Sequence, residues 1–361
     1  MLYDCRRTLR ASLPNTVYLV LKHLSLTNYR NHSKFELDLG EITVLIGKNG
    51  TGKTNVLESI GVLSSCRSFR GDNRLELIKF DSDYARIVGD DLEVFIQNSP
   101  RLSFQVKERG IKRKVADFVG LLPSVIFSPE SLEIVKGEPK ERRRFLDILI
   151  SQKDHRYFQN LLDYKKVLTQ RNGLLKRILD NQAGEDELSF WDDEMVGLAI
   201  SITKQRGSVV SEFSSELSDF YRVISGKKES TLEIHYHPKA GEGFAEKLHA
   251  RRAIDIAAGT TTTGPHRDDL EFKLNNLEAS KYASRGELRT VVLSLKAAEL
   301  KYLENDKRPI LLLDDVFSEF DADRRAHLAE IVSNYQTLIT TTDREHLSPE
   351  ILTKASVIEV S

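Results

Sequence analysis

One octapeptide limits what this chain can be. Gly47-Lys48-Asn49-Gly50-Thr51-Gly52-Lys53-Thr54 matches G-x-x-x-x-G-K-[ST] at every position. Its glycines let backbone N–H groups curl around phosphate oxygens, where side chains would block the approach. The helix N-terminus that follows such a loop adds partial positive charge. Lys53 is then expected to reach the β and γ phosphates, and the Thr54 hydroxyl to ligate Mg²⁺. The flanks agree: Glu41 to Ile46 is a short apolar strand, and Thr54 to Leu63 places Val56, Leu57, Ile60 and Leu63 at helical spacing. The expected ligands are a nucleoside triphosphate and Mg²⁺.

Such a loop needs a carboxylate at the end of a neighbouring strand. Ile310-Leu311-Leu312-Leu313-Asp314-Asp315 supplies it far downstream. Asp314 is expected to be the strand-end metal partner, and Asp315 to orient and deprotonate the attacking water. Simple GTPases place this aspartate much closer to the loop. The long separation, with helices between, resembles the ATP-binding-cassette ATPases. Ser284-Arg285-Gly286-Glu287 opens an amphipathic helix running to Leu303. By itself the string is an ordinary N-cap with an acid in the first turn. In order and spacing it resembles the signature turn of that class, which binds the γ-phosphate held by the opposite subunit. Ser284, Gly286 and Glu287 are therefore candidate nucleotide residues. Ser318-Glu319-Phe320-Asp321 resembles the dimer-contacting loop, and Thr340-Thr341-Thr342-Asp343 lies where the class often has a switch histidine. Arg30 and Asn31, on a turn between two strands, are candidates for the base or ribose.

The rest of the chain gives the organisation. Alternating strands are expected over Tyr18–Leu26 and Ser33–Leu39, and further strands near 84–89, 91–97 and 101–106. From Pro139 to about Tyr221 the pattern is helical, with a turn at Asp180–Glu185 that reads as an αα-hairpin. A strand is expected over Leu232–Tyr236, one helix over 243–258, and buried strands over Ile310–Leu313 and Thr337–Thr340. The fold expected is α/β: an ABC-type P-loop ATPase lobe with a mixed or parallel sheet, plus an inserted, mainly helical lobe. The expected boundaries are 1–128 with 300–361 for the ATPase lobe, and 129–299 for the helical lobe with the hairpin and signature turn. The 361 residues leave room for two domains.

Composition excludes several classes. Two cysteines, Cys5 and Cys66, form no disulfide framework or thiolate metal site, so reduced cytoplasmic thiols are expected. No apolar run approaches the 18 or more residues of a membrane span. Met1–Pro14 lacks the apolar core of a secretory signal, so Arg6-Arg7 is not read as a twin-arginine mark and the segment is expected to be a floppy extension. With 53 Lys+Arg against 54 Asp+Glu, the chain is no uniformly basic nucleic-acid coat. Local runs remain. Lys107, Arg109, Lys112, Arg113 and Lys114 form one, and Lys165, Lys166, Arg171, Lys176 and Arg177 another, while Glu185–Glu194 is acidic. Such runs are usually solvated faces. If DNA binds, the basic ones are the candidate phosphate contacts. His266, Arg267, Asp268 and Asp269 lack the ligand spacing of a zinc site.

Several strings together resemble one family. They are Leu24-Ser25-Leu26-Thr27-Asn28-Tyr29-Arg30-Asn31, the phosphate loop, Phe127-Ser128-Pro129-Glu130, Arg142-Arg143-Arg144-Phe145-Leu146-Asp147, Thr263-Gly264-Pro265-His266-Arg267-Asp268-Asp269-Leu270, and Leu311-Leu312-Leu313-Asp314-Asp315-Val316. On these the chain resembles bacterial RecF, a DNA replication and repair ATPase family related to the SMC proteins. The resemblance covers residues 17 to 361. It implies an ATP-dependent homodimer in the cytoplasm that binds single- and double-stranded DNA at gaps or junctions. It also implies action with RecO and RecR, and indirectly RecA. Glu287 stands where many members have Gln. The rival readings are an SMC-like structural DNA-bridging ATPase, a transporter ATPase and a nuclease. No membrane segment or added carboxylate cluster supports the last two. A hairpin of ~40-residue helices, about 60 Å at 1.5 Å per residue, is far shorter than SMC arms.

Overall fold

The computed structural model describes residues 20–304 and 308–361. The expected N-terminal extension and Cys5 lie outside the described residues. Along the chain run β1 (His23–Tyr29), β2 (His32–Asp38), β3 (Ile42–Ile46), α1 (Lys53–Ser65), β4 (Tyr84–Gly89), β5 (Leu92–Gln97), β6 (Ser103–Glu108), β7 (Ile111–Arg113) and β8 (Ser124–Phe127). Helices α2 (Pro139–Lys153), α3 (His155–Leu179) and α4 (Leu188–Ser225) follow, then β9 (Leu232–His237), α5 (Phe244–Ala250) and α6 (Arg252–Ala258). The chain ends with β10 (Asp269–Leu274), β11 (Leu277–Glu278), α7 (Arg285–Leu303), β12 (Ile310–Asp314), α8 (Ala322–Val332), β13 (Thr337–Thr341) and β14 (Ser356–Glu359). One-turn helices join several of these.

The described chain forms two compact units. The first holds residues up to Leu132 together with Leu217–Thr231 and Ala283–Ser361; the second holds Glu133–Glu216 and Leu232–Tyr282. The expected boundary at 299/300 therefore moves. The signature helix α7 packs on β8 and buries Leu288, Val291, Val292, Leu295 and Ala298, so it belongs to the first unit.

The first unit separates its strands into two sheets. Five are parallel in the order β14-β3-β13-β12-β8, and six are antiparallel in the order β2-β1-β4-β5-β6-β7. Helix α1 packs against β4 and β5 of one sheet and β8, β12 and β13 of the other. That sandwich explains why α1 is buried around most of its circumference, Glu58 and Ser59 included, rather than along one apolar stripe. β8 was not expected from the pattern. It is only four residues long, yet it pairs in parallel with β12 from Ile310↔Ser124 to Leu313↔Phe127.

The second unit carries the αα-hairpin and a three-stranded antiparallel sheet, β11-β10-β9. Its arms are unequal. The first arm, α3, has 25 residues, because Asp154 leaves helical geometry and caps α3 by accepting from the Tyr157 N–H at 3.0 Å. α4 has 38 residues, and its last turns belong to the first unit. The single helix expected over 243–258 is two, broken at Arg251, whose φ of −93° and ψ of 0° end α5.

Candidate nucleotide-binding site

The phosphate loop leaves β3 and enters α1 through Gly52, whose φ of +98° is left-handed. A Cβ there would stand 2.5 Å from His32 Nε2 and 2.6 Å from the Asn31 amide, so the first strand turn presses directly on the loop. At Gly47 a Cβ would stand 2.2 Å from the Val360 carbonyl oxygen, a backbone atom that cannot swing aside. Lys53 is buried and donates to the Gly47 and Lys48 carbonyls at 2.7 and 2.9 Å. Among the described residues no carboxylate pairs with it, so its charge is available to a phosphate.

Two strand ends meet this loop. The Thr54 hydroxyl donates to Asp314 Oδ1 at 2.9 Å, and the Thr340 hydroxyl donates to the same oxygen at 2.6 Å. Burial pushes the Asp314 carboxyl above its ordinary value, with the two hydroxyls opposing the rise and the Glu130 and Asp315 charges adding to it. The hydroxyl and carboxylate oxygens of Thr54 and Asp314 form a hard donor set of the kind Mg²⁺ takes. The chemistry of the residues therefore fits that ion.

Asp315 follows in a left-handed conformation, φ +52°, held by its N–H to the Thr340 carbonyl at 3.0 Å. Non-glycine residues held there cluster at functional sites. Its Oδ1 is buried with no hydrogen-bond partner. Burial raises its carboxyl, and the charges of His346 and Lys53 hold that rise back. His346 was missed in the sequence, where a histidine was sought at 340–343. It reaches the site from the turn after β13, with its Nδ1 3.3 Å from the Thr341 hydroxyl.

The Ser284 turn is a capping box. Ser284 Oγ accepts from the Glu287 N–H at 3.3 Å, and Glu287 Oε2 accepts from the Ser284 N–H at 3.0 Å. Lys227 donates to Glu287 Oε1 at 2.9 Å, and this pair, with the Ser284 bonds, pulls the Glu287 carboxyl down to about 2. Glu287 thus orders the turn from within its own chain. In the same region Arg289 pairs with Glu319.

Arg30 is anchored to the helix that follows the phosphate loop. Its guanidinium forks onto Glu58 at 2.9 and 2.7 Å, and Glu58 also accepts from Tyr29 and Ser68. Glu58 is 0% exposed. Burial alone would raise its carboxyl, but Arg30 and the hydroxyls hold it below its ordinary value. Asn31 stays at the loop, accepting from the Asn55 amide at 2.7 Å.

The basic runs divide by burial. Arg171 is a correction: it is 0% exposed and pairs with Asp192 and Asp255 at 2.7 Å each, so it cannot meet a DNA phosphate. Asp192, read as part of a solvated acidic run, is buried in the same network and also binds Arg252. Lys107, Arg109, Arg113 and Lys166 are paired with Glu93, Asp91, Glu108 and Asp163. Lys112, Lys114, Lys165, Lys176 and Arg177 are exposed and, among the described residues, have no carboxylate partner.

The family model for the RecF/RecN/SMC N terminal domain matches residues 20–357. A curated DNA replication and repair protein RecF from Heliobacterium modesticaldum is 37% identical over 362 residues, 94% of this chain and 97% of that protein. The chain belongs to the RecF family. The Bacillus subtilis RecF is 36% identical over 366 residues, covering 95% of this chain and 98% of that protein. A solved structure of the recombination mediator protein RecF of the RecFOR pathway, with an ATP analogue, superposes with a TM-score of 0.85 at 32% identity, covering 94% of this chain and 96% of that chain. An Smc head superposes at 0.52 with 15% identity, which establishes the shared fold alone. The RecF-family chain thus has the ABC-type P-loop ATPase fold, with a helical region. Among its described residues no helix is long and apolar enough to cross a membrane.

Proposed function

We propose that this RecF-family chain is an ATP-dependent DNA-binding protein of replication and recombinational repair, in which two copies close on two ATP molecules. The observation that carries the reading is the hydroxyl–carboxylate bond between Thr54 and Asp314, residues 260 apart in sequence. It joins the phosphate loop to an acidic strand end, the pairing a nucleoside triphosphate site requires. Lys53 exchanges its loop carbonyls for the β and γ phosphates. Mg²⁺ held by Thr54 and Asp314 would neutralise developing phosphate charge. Asp315, with a buried unpaired oxygen and a raised carboxyl, orients the attacking water and takes its proton. It is one methylene shorter than the glutamate common in transporter ATPases. Its reach to that water is poorer, and turnover below the ~1–10³ s⁻¹ typical of enzymes suits a switch.

Ser284 and Gly286 of one copy face the γ-phosphate held by Lys53 and Thr54 of the other. The exposed N–H groups at the start of α7 supply the attraction. Glu287 contributes by fixing that turn.

The DNA part rests on the family, whose members carry the name DNA replication and repair protein. Gapped or junction DNA, cytoplasmic action, and cooperation with RecO and RecR to place RecA are the finer reading. An SMC-like bridging role would need far longer arms than α4, which spans about 57 Å at 1.5 Å per residue. The contact candidates narrow to Lys112, Lys114, Lys165, Lys176 and Arg177. The test is binding to gapped, single-stranded and duplex DNA with and without ATP over a salt series. ATP-enhanced binding that weakens with salt, with a log–log slope of about −0.9 per duplex phosphate contact, supports the reading. Binding indifferent to both ATP and salt contradicts it.

A further inference from the structure

The signature turn and the loop after the acidic strand share one cation. Arg324, in the first turn of α8, donates through Nε to the Thr290 hydroxyl at 2.7 Å. Thr290, one turn into α7, donates onward to the Gly286 carbonyl at 3.0 Å. The same guanidinium pairs through Nη1 with the carboxylate of Asp321, which caps α8 by accepting from the Arg324 N–H at 3.0 Å. Its Nη2 stands 3.6 Å from where a Cβ on Gly286 would lie. The Arg324 side chain is 23% exposed, so it is wedged between the two elements rather than solvated.

Tyr221, in the last turns of α4, is buried, and its phenol is pushed up to about 12 by burial, with Glu287 raising it and Arg324 lowering it. The charges of the capping box and of Arg324 therefore both act on one ring.

We propose that Arg324 is a positioning residue that locks the Ser284–Gly286 turn and the Asp321 loop into one rigid surface for the partner copy's nucleotide. The proposal rests on the two-copy reading above. Two interface elements that move separately lose conformational freedom when they dock, and this weakens association. A single planar fork holding both removes that cost. Lysine cannot replace it, because a point charge cannot engage Thr290 and Asp321 with fixed geometry.

The experiment compares wild type, Arg324→Ala, Arg324→Lys and Thr290→Val for three properties. These are ATP binding to the monomer, dimerisation with a slowly hydrolysed ATP analogue, and ATPase rate against protein concentration. Expected are unchanged monomer binding, since the phosphate loop is untouched, and dimer affinity weaker by about tenfold or more in both Arg324 variants. Turnover per site should recover at high protein concentration, which a general folding defect would not allow. Thr290→Val, lacking one link, should fall in between and covers the case in which Arg324→Ala folds poorly. Wild type that dimerises with the analogue, and variants that dimerise as tightly, would overturn the role of Arg324. Wild type that stays monomeric would overturn the two-copy reading, and this proposal with it.

Discussion

Replacing Arg171 with alanine separates two accounts of the basic run on α3. If Arg171 contacts DNA, the variant should fold normally and bind DNA less well. The structure gives the opposite expectation. Arg171 serves Asp192, Asp255 and the Thr261 hydroxyl from a position with 0% exposure. Removing one partner of a buried ion pair costs about 3–5 kcal/mol, because the other charge stays buried. Here the loss is softened. Asp192 keeps Arg252 at 2.7 Å, and Asp255 keeps the Thr262 N–H and hydroxyl at 2.9 and 2.6 Å. The lower end, about 3 kcal/mol, is therefore expected. At about 2–4 °C per kcal/mol, the melting transition of the unit that carries the hairpin should fall by roughly 6–12 °C. Calorimetry on the full chain reads this, and DNA titration below the transition reads binding. Lys176→Ala, on the exposed face, serves as the opposite control, with stability kept and DNA binding weakened. An Arg171→Ala protein with an unchanged transition and a reduced salt slope in DNA binding would refute the reasoning.

Two further outcomes follow from the nucleotide site. Lys227→Ala should destabilise the first unit near neutral pH, because the Glu287 carboxyl, held at about 2, loses its cation. A depressed carboxyl stabilises above its unfolded value of about 4.3 and loses that contribution as pH falls through its folded value. The difference between variant and wild type, measured by denaturant titration, should shrink as pH falls from about 4.3 toward 2; a difference that is constant with pH contradicts the ion pair. Asp315→Asn should lower ATP hydrolysis by about 10²-fold or more while leaving ATP binding intact, as measured by single-turnover kinetics and nucleotide titration.

What was legible in the sequence was what is contiguous. The phosphate loop, the apolar strand ending in Asp314 and Asp315, and the capping box of Ser284 and Glu287 each lie within a few residues, so spacing alone placed them. The partners that complete them do not. His346, Lys227 and Arg324 reach their partners only through sheet order and helix packing, and no local pattern marks them; Thr340 was legible as a strand end, but its bond to Asp314 was not. Arg171 shows a related limit. A run of charges counts residues without regard to helical face, and Arg171 points inward where Lys165, Lys176 and Arg177 are exposed. The two sheets of the first unit were likewise invisible, because alternating strands look alike whichever sheet they join. β8 is too short to stand out, although its pairing with β12 places Ser128, Pro129 and Glu130 just beyond the strand end, and Glu130 acts on Asp314.

Sedimentation velocity of the full chain, with and without a slowly hydrolysed ATP analogue and Mg²⁺, tests the central claim most directly. A monomer without nucleotide that becomes a dimer with it, and a Lys53→Met variant that stays monomeric in both conditions, is the expected result. A wild-type chain that binds the analogue yet remains monomeric across the concentration range would contradict the two-copy arrangement.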